Sequence, residues 1–350
     1  MRKSLVLFAI LLPVILLVSF QRESLRDQYA KDPSQWPAPW VDSTVQWKEL
    51  GALPESPLAA KADSLRAVIE LGKILFFDPR LSASDTISCA SCHQPEKYWT
   101  DGVKRSIGHE GAVNKRNSPT IANSWHIKRP FWDGRARNLQ DQAFAPIISE
   151  SEMGSDMPVV MMKLRRISGY KELFKKAFGD EHIDPDRMTG AIALFEQTVV
   201  SRPSPFDLFL QGDRNALSNS ELRGLHLFRT KARCMNCHNG PLFTDNSFHQ
   251  IGFSGTDAGY YKVTHQDADS GKFRTPSLRD VMHTGPWMHD GEHDNMTKII
   301  QALNTADGPG KKSGLLKPLG LNTKEKKDLL AFLWALSAPA PEFQRPVLPQ

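Results

Sequence analysis

"ISCASCHQP", residues 87–95, sets two thiols and an imidazole inside one short run: Cys89, Cys92 and His93. A C-x-x-C pair alone fits a redox dithiol, half of a zinc site or a disulfide. The histidine directly after the second cysteine makes it the attachment spacing of haem c. The reason is geometric: two thiols three positions apart add to the two vinyl groups of one porphyrin, and that tether leaves His93 beneath the iron as proximal ligand. The arrangement recurs as Cys234-Met-Asn-Cys237-His238, and the two motifs use all four cysteines of the chain. One four-cysteine zinc site would need pairs 145 residues apart (234 − 89) and would give the trailing histidines no role. Two covalently bound haem c groups are therefore expected ahead of zinc or a disulfide. Cys89, Cys92 and His93 hold one; Cys234, Cys237 and His238 hold the other.

The chain opens with Arg2-Lys3 and an apolar run from Leu5 to Phe20, broken only by Pro13 and Ser19. That is a charged start and a hydrophobic stretch shorter than the roughly 20 residues of a full span, which suits an export signal. Residues 1–22 are expected to be a signal peptide or an N-terminal anchor, and the protein to be periplasmic, free or tethered to the membrane. Export agrees with the haem reading, because haem c is attached outside the bacterial cytoplasm. Net charge is +5 without a dense Lys/Arg block, which argues against a nucleic-acid partner. The remaining chain is long enough for two domains of ordinary size.

Helical signals dominate the rest of the sequence. Residues 23–55, rich in Pro and Trp (Trp36, Trp40, Trp47), read as an extended arm leading into the first domain. Ser56-Pro57 reads as a helix start, with Leu65, Ile69 and Gly72 on one face and Asp78-Pro79 as the stop. Asp184-Pro185 opens a second helix carrying Met188, Ile192, Phe195 and Val199 at helical steps. Ser218 and Glu221 form a capping box before Leu222, Leu225 and Phe228. A last helix runs from about Thr323 to Leu336. Gly72-Lys-Ile-Leu75-Phe76 before the first haem motif is echoed by Gly224-Leu-His-Leu227-Phe228 before the second. The fold class expected is all-α, with two cytochrome c-like haem domains at 56–203 and 204–340. Arg202-Pro-Ser-Pro205 is the expected break between them.

Between and beyond these landmarks lie "TDGVKRSIGHEG" (100–111), "KRNSPTIANSWHIKRPFWDGRARNLQDQAFAPI" (115–147) and "SEMG" (151–154). With the two C-x-x-C-H motifs, these phrases resemble the bacterial di-haem cytochrome c peroxidase family, which includes the MauG-type enzymes, over roughly residues 68–336. The resemblance implies that His109 is a displaceable sixth ligand of the N-terminal haem iron, leaving when the second haem is reduced. It implies that Gln142 and Glu152 are distal-pocket residues, Glu152 being the acid-base group that moves a proton between the peroxide oxygens. Trp132 would relay electrons between the haems. Asn117, Thr284 and Pro286 would be ligands of an inter-domain calcium, an oxygen set that suits a hard cation. A small electron-donor cytochrome or cupredoxin is the implied partner, and a homodimer the implied assembly.

One position departs from the family. Its sixth ligand of the C-terminal haem lies 17 residues after the proline of a T-x-P phrase, and counting from Pro286 reaches Leu303, which has no atom to coordinate iron. Met296, seven residues earlier on the same expected helix face, is the expected substitute, with Met288 nearer the "HDG" turn. A thioether would raise that haem's potential and make it the entry point for electrons. The function expected is a periplasmic peroxidase reducing hydrogen peroxide to water with electrons from a small donor protein. The alternative is a MauG-like oxidase that modifies a partner protein, and a plain electron carrier ranks below both.

Overall fold

The computed structural model describes residues 23–253, 255–306, 313–340 and 342–350; the expected export segment, 1–22, lies outside them. The described residues form twelve α-helices: α1 Leu25–Tyr29, α2 Arg66–Phe77, α3 Cys89–Cys92, α4 Leu139–Ile148, α5 Met157–Arg166, α6 Ser168–Phe178, α7 Pro185–Thr198, α8 Pro205–Leu210, α9 Asn219–Arg229, α10 Tyr261–Thr264, α11 Met296–Thr305 and α12 Thr323–Ala335. The only strands among them are β1 Phe248–His249 and β2 Phe273–Arg274, an antiparallel pair with Phe248 opposite Arg274.

The repeated G-x-x-L-F phrase explains the architecture. A Cβ at Gly72 of α2 would lie 1.9 Å from the carbonyl oxygen of Ala191 on α7, and one at Gly224 of α9 would lie 2.0 Å from that of Asp328 on α12. Only glycine lets the two backbones of each pair touch. The phenylalanine that ends the phrase then meets an aromatic ring of the partner helix: Phe76 lies 5.2 Å from Phe195, and Phe228 lies 5.4 Å from Phe332. Two hydrophobic cores grow around these crossings. The first gathers Leu71, Leu75, Phe76, Ile147, Leu164, Phe174, Ile192 and Phe195; the second gathers Phe206, Leu222, Leu225, Phe228, Phe243, Leu329 and Phe332.

Most helix ends obey local chemistry. Asp184 accepts from the Arg187 N–H at 2.9 Å with Pro185 at the first position of α7, and Ser218 with Glu221 closes a capping box on α9. The Pro/Ser break before Pro205 is itself a helix entry, because Ser204 and Asp207 form a capping box on α8.

Two expectations fail. The helix expected from Ser56-Pro57 begins only at Arg66, after a single 3-10 turn at Ala59–Lys61. The Ser56 hydroxyl accepts from the Leu58 N–H at 3.3 Å and donates to the Gln197 carbonyl at 3.1 Å, so it ties a turn to the end of α7 instead of capping a helix. Helix α2 has no side-chain cap and is held by its buried face, Val68, Leu71, Leu75 and Phe76. The arm, for its part, does not belong to the first core. Tyr29, Trp36 and Leu50 are buried in the second, and the fully buried Arg229 of α9 binds the Glu49 carboxylate and the Pro37 carbonyl. The other end of the chain crosses in the opposite sense. Phe343 stacks on Phe77 at 5.3 Å in the first core, the Gly169 N–H donates to the Gln350 carbonyl at 3.1 Å, and Arg345 pairs with Glu96 at 3.0 Å.

Candidate functional site

In each half a short helical turn carries the cysteines and ends in the histidine. His93 caps α3, and its Nδ1 lies 3.1 Å from the Trp99 carbonyl; His238 Nδ1 lies 3.0 Å from the Phe243 carbonyl. A carbonyl only accepts, so each Nδ1 carries the proton and donates it, which leaves Nε2 with a free lone pair. Burial lowers the basicity of both rings and keeps them neutral, the form that ligates iron. No disulfide joins any two of the four cysteines.

The first motif opens into a cavity. Helix α4 presents Leu139, Gln142, Ala143 and Pro146 to it, a single face at helical spacing, and the turn after it contributes Ser149 and Glu152. Cys89, Cys92, His93, Asn117 and Trp132 line the same space. Burial pushes the Glu152 carboxyl above its ordinary range, against the opposing pull of Arg135 and a hydrogen bond from Ser149. Trp132 is locked: its indole N–H donates to the Asn117 carbonyl at 2.9 Å, and its own carbonyl accepts from the Arg274 N–H at 2.9 Å. Trp132 in the first half is thereby tied to β2 of the second. The donor set suits a haem: two thiols, an imidazole nitrogen, an apolar helix face, and a buried guanidinium, Arg274, whose Nε has no partner.

Several expected residues lie elsewhere. His109 is not among the lining residues. Its N–H donates to the Glu152 carbonyl at 2.8 Å, and its ring rests on Gly154, where a Cβ would come within 2.5 Å of Cδ2. Gly154 also has φ +61°, so the "SEMG" glycine satisfies both the turn and the docked imidazole. The His109 Nδ1 is buried without a hydrogen-bond partner. Asn117 spends its side-chain nitrogen on the Val103 carbonyl at 2.9 Å and its N–H on the His289 carbonyl at 2.9 Å, three residues beyond Pro286; its Oδ1 accepts no hydrogen bond among the described residues. Thr284 and Pro286 stand on that same loop, outside the cavity. Met296 is the first residue of α11 and is buried in the second core; Leu303, on the same helix, and Met288 pack against that core.

Sequence reasoning passed over three groups. Glu196 lines the first cavity, buried, with its carboxyl pushed up to about 8 by desolvation. Its signal was present: it lies four residues after Ile192, on the apolar face of α7. His249 pairs with Asp245 at 2.6 Å beside Cys237. His289 stacks on Phe273 at 3.7 Å, and Phe273 also packs under the Arg116 guanidinium. Asp245 lies only four residues before His249, but its approach to Cys237 belongs to the fold; His289 stands in the "MHDG" phrase, and its ring partner Phe273 comes from another segment.

The di-haem cytochrome c peroxidase family profile matches residues 66–215. The methylamine utilization protein MauG of Methylophilus methylotrophus is 40% identical over 285 residues, covering 80% of this chain and 85% of its own. The cytochrome c551 peroxidase of Nitrosomonas europaea is 37% identical over 306 residues, 85% of this chain and 87% of its own. Among solved structures, a MauG-like protein associated with microbial copper homeostasis superposes with a TM-score of 0.72 at 30% identity, over 86% of this chain and 96% of the other.

Proposed function

Since the chain belongs to the di-haem cytochrome c peroxidase family, we propose that it reduces hydrogen peroxide to water in the periplasm, drawing electrons from a small cytochrome or cupredoxin. Two electrons and two protons convert one peroxide to two waters. The observation that carries this reading is the half-buried Glu152 carboxyl in the cavity that His93 enters. The haem bound by Cys89, Cys92 and His93 supplies the redox chemistry of O–O cleavage. Glu152 takes a proton from one peroxide oxygen and returns it to the other, so that the latter leaves as water. A carboxyl pushed up by burial keeps its proton to higher pH than an ordinary glutamate does. Gln142, one turn along the same wall, orients the bound peroxide through its amide. Trp132, fixed at both its N–H and its carbonyl, relays electrons from the half that holds Cys234, Cys237 and His238.

His109 is the removable ligand in this scheme: its backbone is anchored to Glu152, while its Nδ1 makes no hydrogen bond that would hold the ring. Asn117 Oδ1, with Thr284 and Pro286, forms the calcium site, and Met296 supplies the thioether on the second iron. The chain works as the two haem units 56–203 and 204–340, exported by residues 1–22, with a membrane tether and a homodimer as further elements. The second reading, a MauG-like oxidase of a partner protein, draws on the relative at 40% identity and on Leu303, which replaces the expected second-haem ligand.

The test is steady-state oxidation of a reduced small cytochrome c with and without hydrogen peroxide. Glu152→Gln should lower the peroxide-dependent rate by about 10²–10⁴-fold with both haems still attached. Unchanged turnover removes Glu152 from the mechanism.

A further inference from the structure

Three arginines are buried among the described residues: Arg229, Arg274 and Arg279. Arg229 binds the Glu49 carboxylate, and Arg279 binds Asp207 at 2.6 Å and two backbone carbonyls besides. Arg274 has no carboxylate. Among the described residues its only side-chain hydrogen bond is a 3.5 Å contact with the Thr275 carbonyl, and its Nε has no partner there. A buried guanidinium without a counter-charge is costly, and proteins place one where an anion arrives.

Among the described residues no side chain supplies that anion. Arg274 lines the first cavity, and the four carboxylates that also line it are Asp133, Glu152, Glu196 and Asp257. Asp133 is held by Arg116 and Arg135, and Asp257 by Arg116 and Lys262. Glu152 feels the positive charge of Arg135, and Glu196 feels burial alone. Burial drags the Arg274 guanidinium down to about 10, so it is charged at neutral pH all the same. The other titratable group near it, His126, is itself pushed down to about 4 by burial and by the Arg274 charge, and so brings no charge of its own. What the cavity receives is a haem c, which carries two propionate carboxylates, and a guanidinium fork matches a carboxylate in geometry as well as charge.

We propose that Arg274, carried into the first cavity on β2 of the second half, binds a propionate of the haem attached to Cys89 and Cys92 and thereby raises that haem's reduction potential. The backbone supports this geometry, because the Arg274 N–H is bonded to the Trp132 carbonyl at the wall of the same cavity. The second half thus contributes a residue to the first half's cofactor site. The inference rests on the two haem c groups and not on peroxide being the substrate.

The experiment compares wild-type holoprotein with Arg274→Leu and Arg274→Lys in the absence of peroxide. Haem content is read by pyridine haemochrome, the potential of each haem by spectroelectrochemistry, and the propionate bending bands by resonance Raman. Arg274→Leu should retain two haems, shift the N-terminal haem to lower potential and move its propionate bands; Arg274→Lys should recover most of the potential and little of the band position. An unchanged N-terminal potential with unmoved bands overturns the proposal, as does a shift confined to the C-terminal haem. If the leucine variant fails to mature, Arg274→Lys decides: it keeps the charge and loses the fork, so unmoved propionate bands in it overturn the assignment. A chain that turns over no peroxide at all still gives either result.

Discussion

Glu196→Gln isolates a cost that the fold carries at its first cavity. The side chain lies on α7 among Ile192, Phe195 and the Cys89 turn, and desolvation alone pushes its carboxyl up to about 8. The folded value exceeds that of a free glutamate, near 4.5, so the folded chain holds a proton that the unfolded chain has released. Stability therefore falls as pH rises through the window between the two values. The linkage penalty is about 1 kcal/mol at about pH 5.5 and about 4 kcal/mol at about pH 8, and flattens above that. Glutamine has the same shape and no charge to desolvate. Urea unfolding of the holoprotein, followed by far-UV circular dichroism and the haem absorbance, should show the variant no more stable than wild type near pH 4, and more stable by several kcal/mol at about pH 8. The difference should grow monotonically with pH. A stability difference independent of pH would refute the reasoning, since it would mean that the carboxyl has the same proton affinity folded and unfolded.

His109→Gly should give an N-terminal haem that is open in the fully oxidised protein, visible as a high-spin electron paramagnetic resonance signal without prior reduction; a six-coordinate, nitrogen-ligated spectrum in that variant would exclude His109 as ligand. Met296→Ala should remove the thioether charge-transfer band of the C-terminal haem and lower its potential. As a buried methionine of the second core it should also cost about 2–5 kcal/mol in urea unfolding. Retention of the band with loss of stability would leave Met296 as core packing and turn attention to Met288.

Local chemistry carried the sequence reading as far as local chemistry reaches. The C-x-x-C-H turns and the Asp184-Pro185 and Ser218/Glu221 caps are each written within a few residues, and each takes the form its residues dictate. The repeat of Gly72 and Gly224 was visible as a phrase, but its reason, contact with Ala191 and Asp328, comes from helices far along the chain. Ser56-Pro57 misled because a capping serine binds any N–H within reach, and here it serves a turn. Arg274 was illegible as a site residue for a related cause, and Glu196 showed only its place four residues after Ile192 on the apolar face of α7. Arginine and glutamate are normally solvated, and only the fold reveals that one faces a cavity without a counter-charge and the other sits under an apolar wall. Resemblance implied distal-pocket roles for Gln142 and Glu152 and a relay between haems for Trp132; that the three line one cavity, and that His109 is seated on Gly154, is visible only in the fold.

The crossed ends of the chain bear on manufacture. Synthesis delivers the polypeptide from its amino end, so the segment holding Tyr29, Trp36 and Leu50 emerges well before the core it fills. The residues that close the first core, Phe343 through Gln350, emerge after those of the second. Cys89 emerges long before Cys234, yet the first core lacks Phe343 until the residues of the second have been made. A nick at the Pro/Ser break would release two fragments, each missing part of its own interior and carrying part of the other's. The interlock makes the pair of haem units inherit one fate: they mature together, and a truncation at either terminus strikes the haem unit at the opposite end of the sequence.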